Sequence, residues 1–291
     1  MQTSAILIEC ARRLLKYLNV APSRRPPFLV RRYRSRSDRR ILETLTPQLA
    51  APVEWRAEER VPVIENELAQ LFFSTENVHK WLHYLPIYER MLAPLRKEPL
   101  RLLEIGVAGG GSLQVWRRYL HPESAIVGID VDPACARFDD PDNGVHVRIG
   151  SQADIAFLVE VVDELGPFDA VLDDGSHMAS HMIETFRFLF ANGLVDGGVY
   201  LVEDVHTNYW ASHRDTRLSF VDFAKGLVDI MHAHYMGVSG EQEFRHGSAL
   251  RRQAITVPAM TRLIEGIEFH DSMVLVRRSD GPRRLPMTIM R

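Results

Sequence analysis

Two short acidic clusters hold the residues best suited to chemistry. Asp173-Asp174-Gly175-Ser176-His177 follows the apolar run 168–172, and Glu203-Asp204-Val205-His206 follows the run 198–202. If both runs are strands of a parallel sheet, their ends lie on the edge where open α/β sheets bind ligands. Four carboxylates at one edge repel, and each pushes the pKa values of the others upward. A hard divalent cation removes that penalty and takes oxygen ligands, which points to magnesium. His177 stands three residues beyond Asp174, at the start of a helix predicted over 178–191. Its imidazole can take a proton from a hydroxyl whose pKa the cation lowers. His181 lies one helical turn further on the same face as support for the site, and His206 follows the second pair and can line an acceptor pocket.

The element that must organise this edge is the stretch 100–112. Leu100 to Ile105 reads as a strand buried on both faces and carries Glu104 near its end. Gly106, Gly109, Gly110 and Gly111 then make a turn, and 113–120 has apolar residues at helical spacing. Gly106-x-x-Gly109-x-Gly111 does not have the G-x-G-x-x-G spacing of a dinucleotide fingerprint. Glu104 would repel a pyrophosphate, whereas it suits an ammonium or sulfonium group. The next strand, 125–130, closes on Asp130, a carboxylate placed for ribose hydroxyls. A third strand, 145–149, runs into Gly150-Ser151-Gln152-Ala153-Asp154, where Ser151 can also serve as a helix cap.

E-x-G-x-x-x-G with an acidic residue closing the next strand resembles the class I S-adenosylmethionine (SAM) methyltransferases, over roughly 100–278. The resemblance implies an α/β fold, a doubly wound Rossmann-like sheet with a reversed last strand, for which 260–269 and 271–276 read as the closing strand pair. It also implies SAM as cofactor. Glu104 would hold the methionine amine and Asp130 the ribose; Gly106 and Gly109 would allow close approach; Ser112, and Ser151 and Gln152 in the loop bracketing the adenine, complete the contacts. The order Ser74-Thr75 … His83-Tyr84-x-x-x-Tyr88 … Pro94-Leu95, with D-D-G-S-H, resembles bacterial sugar O-methyltransferases acting on macrolide and related glycosides. In that family the D-D-G-S-H segment and the next acidic pair hold Mg²⁺. Carried over, Asp174, Glu203 and Asp204 are the ligands, Asp173 belongs to the cofactor side, and His177 is the general base. The family has Asp-Lys after the Thr, and this chain has Glu76-Asn77.

The function implied is methyl transfer from SAM to a hydroxyl of a sugar, on a small-molecule or oligosaccharide acceptor. A catechol-like phenolic acceptor would need the same cation and base. A family named for cephalosporin hydroxylation shares D-D-G-S-H, but two histidines and one carboxylate at iron-triad spacing are not evident here. A non-catalytic SAM- or sugar-binding module would have no use for the base and the metal pairs together.

With 291 residues, 46% of them hydrophobic, the chain can bury a full core. We expect a basic helical and linker extension over 1–60 and a methyltransferase domain over 61–291, with 61–98 forming cap helices. Glu65 to Ala93 supplies those helices, one of them starting at Ser74-Thr75-Glu76, and His79, Trp81, His83, Tyr84 and Tyr88 either pack there or fold over the site as a lid. Asn208 to Arg217 reads as loop and Phe220 to His234 as an amphipathic helix. The net charge of −3 gives no argument for nucleic acid. Residues 1–40 nevertheless carry eleven Lys/Arg against Glu9 and Asp38, which leaves −12 for the rest. That arm begins with an amphipathic helix, Ser4 to Leu18, and is suited to an anionic membrane surface or to a partner subunit in a homo-oligomer. Two distant cysteines, Cys10 and Cys135, suit a reducing cytoplasm, and neither a spanning segment nor a signal peptide is evident.

Overall fold

The computed structural model describes residues 44–289, apart from positions 52, 58 and 59. The expected N-terminal amphipathic helix and basic linker lie outside the described residues. After a single helical turn at Pro47–Ala50, two short helices, α1 (Glu67–Phe73) and α2 (Leu85–Leu92), precede the sheet. The sheet strands are β1 (Arg101–Ile105), β2 (Ala125–Asp130), β3 (Val145–Ile149), β4 (Phe168–Asp173), β5 (Leu194–Val202), β6 (Ile264–His270) and β7 (Met273–Arg278). Between them come α3 (Gly111–Tyr119), α4 (Ile155–Leu165), α5 (Ala179–Asn192) and α6 (Phe220–Met231).

The strand order is β3-β2-β1-β4-β5-β7-β6. The first five strands pair in parallel, and β7 is antiparallel to both of its neighbours. The order reverses between β1 and β4, and that switch point is where a crevice opens beyond the strand ends. Successive strand residues face opposite sides. Leu102, Ile126, Leu172, Leu201 and Leu275 therefore join the core under α1, α2 and α3. Leu103, Val127, Val171, Tyr200 and Val274 join the one under α4, α5 and α6. Both faces are covered, which is why these strands read as continuous apolar runs.

The cap departs from the sequence reading at Ser74-Thr75-Glu76, where a helix was expected to start. Helix α1 ends at Phe73, so this segment closes a helix instead. The Asn66 side chain caps the start by accepting from Ala69 N–H, and Ser74 Oγ and Thr75 Oγ1 both turn back to donate to Leu71 C=O. Short hydroxylated side chains compete for backbone groups and favour such ends. The cap is fixed by aromatic packing: Trp116 of α3 meets Phe72 and Tyr88 edge-on, at centroid distances of 5.4 and 5.5 Å. Each such pair contributes about 0.5–1.5 kcal/mol beyond its buried area. The predicted strand 260–269 begins only at Ile264, after a 3₁₀ turn over Ala259–Arg262. The stretch read as loop from Asn208 enters as the 3₁₀ helix Val205–Tyr209. No described helix is long and apolar enough to cross a membrane.

Candidate active site

The C-terminal ends of β1, β4 and β5 and the cap surround a cavity of about 600 Å³. Gly106, Gly109, Ser112, Asp130, Asp174, His177, Glu203 and Asp204 line it, and so do Lys80, Trp81 and Tyr84 of the cap. A second chamber of about 320 Å³ shares Gly106, Asp130 and Gly175 with it and carries Ile105, Ile129, Ser151 and Gln152.

Strand alternation sorts the acidic pairs. Asp173, the last residue of β4, turns into the sheet, where Gln152 Nε2 and Tyr200 OH donate to it at 3.0 and 3.2 Å. Burial raises its pKa to about 6 against those bonds. It is 1% exposed, and through Gln152 it anchors the wall of the smaller chamber. Asp174 falls on the cavity side. After β5, Glu203 and Asp204 both reach the cavity, because Asp204 takes a left-handed backbone, φ +53°, that breaks the alternation.

Asp204 is one of five described non-glycine residues with positive φ: Asn77, Ala108, His177 and Asp204 line the cavity, and Ser272 bonds to the nearby His206. Such conformations cost about 1–3 kcal/mol each and persist where the surroundings over-determine them. One ligand atom each from Asp174, His177 and Asp204 lie within 4.8 Å of one another. His177 Nε2 is 3.7 Å from Asp204 Oδ2, and its buried Nδ1 has no hydrogen-bond partner. Tyr84 OH donates to Asp204 Oδ1 at 2.5 Å; burial and that bond hold its pKa well above the usual phenol range.

The sequence reading missed Lys80. Its ammonium reaches in from the cap to Asp174 Oδ2 at 2.5 Å, Glu203 Oε2 at 2.9 Å and Glu104 Oε1 at 3.9 Å. Burial pulls its pKa down, but Glu203, Asp174 and Glu104 outweigh this and hold it above the ordinary lysine range. Glu203 is wholly buried, and burial together with Asp174 pushes its pKa up to about 8 against the pull of Lys80. Its Oε1 has no hydrogen-bond partner. The one signal in the sequence was a single lysine inside an otherwise aromatic and histidine-rich segment.

The glycine turn also makes room within the chain itself. Gly106 has φ +96°, and a Cβ there would meet Asp174 C=O at 2.3 Å; one at Gly109 would meet Asn77 at 3.0 Å. The missing side chains make room for the chain's own D-D-G-S-H loop and cap segment. Glu104 is fully buried behind the cavity wall and accepts from Ser112 Oγ at 2.8 Å. Burial sets its pKa near 7, with Lys80 opposing. Asp130 does line the cavity. Its carboxylate accepts from the backbone N–H groups of Val107, Ala108 and Asp132, which outweigh its burial and lower its pKa.

Gln152 lines the smaller chamber, but its amide is engaged at both ends, donating to Asp173 and accepting from Ser176 N–H at 2.7 Å. It braces the D-D-G-S-H loop from β3. Ser151 accepts from Ala153 N–H, while the cap of α4 is Asp154. His181 bonds Ser176 Oγ at 2.8 Å, and His206 lies outside the cavity, 3.7 Å from Asp204.

No protein-family model matches this chain. Over 176 residues it is 40% identical to the 8-demethyl-8-alpha-L-rhamnosyl tetracenomycin-C 2'-O-methyltransferase of Streptomyces olivaceus, covering 55% of this chain and 45% of that one. Demethylmacrocin O-methyltransferase of Streptomyces fradiae is 35% identical over 180 residues, 56% of this chain and 43% of its own length. The solved structure of MycE methyltransferase from the mycinamycin biosynthetic pathway, in complex with Mg, SAH and mycinamycin VI, superposes with a TM-score of 0.59 at 26% identity. It covers 73% of this chain and 53% of that one. The chain thus spans less than half the length of the curated relatives it matches. Over the matched part it is a relative of the Streptomyces sugar O-methyltransferases, on the fold of the class I SAM-dependent methyltransferases.

Proposed function

We propose that this chain is a SAM-dependent, magnesium-assisted O-methyltransferase that acts on a sugar hydroxyl. The observation that carries this reading is the convergence of Asp174, His177 and Asp204 in a cavity whose other end is the glycine turn and Asp130. The named reactions of the relatives and the Mg and SAH bound to the MycE structure support it.

The donor set fits a hard divalent cation: the carboxylates of Asp174 and Asp204 lie within reach of one ion, beside a buried Glu203 oxygen that no hydrogen bond satisfies. Asp174, Asp204 and Glu203 are the residues that would hold it. When bound, the ion supplies Lewis acidity that lowers the pKa of an acceptor hydroxyl. His177 accepts the hydroxyl proton at Nε2, the nitrogen that faces Asp204. Tyr84 holds Asp204 in place, and Lys80 neutralises the buried acids. Asp130 receives ribose hydroxyls, and the chamber beyond it, with Ile105 and Ile129, takes a purine-sized group. Ser151 and Gln152 in that chamber, and Ser112 in the main cavity, act chiefly by fixing their neighbours.

The same reading treats 61–291 as the catalytic domain with 61–98 as its cap. It has the enzyme work in the cytoplasm as a homo-oligomer, with the basic positions 1–40 open to an anionic surface. The free, buried Cys135 is in keeping with a reducing compartment. A monomeric mass in solution would remove the oligomer from this account.

Calorimetric titration of SAM and of Mg²⁺ into wild type and Asp174→Asn tests the site, followed by a methyl-transfer screen over glycosides and catechols. SAM binding with Mg²⁺ uptake lost in the variant, and turnover of glycosides abolished by His177→Ala, are the expected results. Methylation of simple catechols alone would transfer the reading to phenolic acceptors.

A further inference from the structure

A separate cavity of about 340 Å³ lies at the end of the sheet away from the acidic pairs, and none of its lining residues takes part in the reaction outlined above. Its place follows from the register of the last strands. Val274 of β7 lies opposite Val202, beside Glu203 and Asp204, whereas Arg278 at the other end of β7 lies opposite Ile264, the first residue of β6. Arg262, just before β6, meets Arg283 and Arg284, just beyond β7, at that far end. All three line the cavity with His234, and Ile255, Val257 and Leu285 supply an apolar wall.

The charge around this space is unbalanced. No carboxylate lines it, and none of the three arginines forms an ion pair among the described residues, in a chain whose net charge is −3. Glu265 and Asp280 line an adjoining groove that shares Arg283 and Arg284, yet neither pairs with them. Arg283 is held firmly. Its Nη1 donates to the backbone carbonyl of Ile264 at 2.9 Å and to those of Met231 and Thr261 at 3.5 Å. Its Nε and Nη2 have no acceptor among the described residues. His234 is only 5% exposed, and its buried Nε2 has no hydrogen-bond partner either. A buried polar atom left unpaired in a folded chain calls for an explanation, and a ligand is one.

We propose that this cavity binds a small organic anion. Arg262, Arg283 and Arg284 take its carboxylate or phosphate, the groups whose geometry a guanidinium fits best. Its apolar body packs against Ile255, Val257 and Leu285. The volume falls within the roughly 300–1,000 Å³ of small-molecule sites. The site shares no residue with the main cavity, whose carboxylates repel such a molecule, and it stands apart from the methyl-transfer reading.

The probes are 1-naphthyl phosphate, 1-naphthoate and the uncharged 1-naphthol. They are titrated into the full chain without divalent cation and followed by calorimetry and naphthyl fluorescence. We expect saturable binding of at least one anion, at least about tenfold tighter than naphthol and weakened by added salt. The tighter of the two anions identifies the head group. Arg284→Gln and, as a second variant, Arg262→Gln alter exposed side chains and should each weaken that anion about tenfold. Lys97→Gln removes an exposed cation that lines neither cavity and should leave the affinity unchanged. Saturating SAM should not displace the anion. Failure of both anions to bind, naphthol binding as tightly as they do, an affinity that survives both arginine variants, or displacement by SAM would each overturn the assignment.

Discussion

Lys80 is the residue on which the electrostatics of the site turn. Three buried or part-buried carboxylates share one ammonium, and a lone buried ion is far more costly than a paired one. Replacing it by methionine keeps the bulk and removes the charge. We expect Lys80→Met to lose about 3–5 kcal/mol of stability in denaturant melts, the usual cost of breaking a buried pair. Glu104 adds a pH dependence. Its folded-state pKa of about 7 lies above the ordinary 4.5, so folding favours its protonated form. That contribution is complete below pH 4.5 and is lost as pH rises through 7. Without divalent cation, the wild-type melting temperature should therefore fall between pH 5 and pH 8 by more than that of Glu104→Gln. An equal fall in both proteins would show that Glu104 does not titrate in this window.

At the scale of elements, the site depends on the cap resting on the glycine turn. A Cβ at Gly111 would stand 2.5 Å from Glu76 C=O and 2.6 Å from Asn77 C=O, both backbone atoms that cannot swing aside. Gly111→Ala should lift the cap and destabilise the fold by about 1–3 kcal/mol, the usual range for overpacking. Amide hydrogen exchange over 75–84 would accelerate if this is right, since Lys80, Trp81 and Tyr84 are carried on the same segment. Unchanged exchange there would mean that the cap is held by Phe72, Tyr88 and Trp116 alone. The left-handed Asp204 is the other decision taken at this level: a regular strand would have sent one acid of its pair away from the cavity.

At the scale of the whole molecule, ligands that bind only the folded chain stabilise it by mass action. A ligand at a hundred times its dissociation constant contributes about 2.7 kcal/mol. SAM and Mg²⁺ together should raise the wild-type melting temperature, and the Mg²⁺ increment should vanish in Asp204→Asn. An increment that persists there would place the ion elsewhere.

Much of this molecule was legible in its sequence, because the strongest signals were local. Apolar runs buried on both faces, the glycine turn after Glu104 and the acidic strand ends specified the parallel sheet and the edge at which chemistry would gather. Asp174, His177 and Asp204 meet there because chain order and strand polarity leave them little choice. Only the resemblance, not the spacing, separated Asp173 from the other three acids; the structure does so through the alternation at Asp173 and the left-handed turn at Asp204. The sequence could not show that Gly106 and Gly109 yield space to Asp174 and Asn77, or that Lys80 spans more than ninety residues of sequence to reach Asp174. Those are contacts between distant segments, fixed by how the cap packs on α3. Periodicity and spacing carry the period of a strand or helix, while a buried charge finds its partners only when the whole chain has folded.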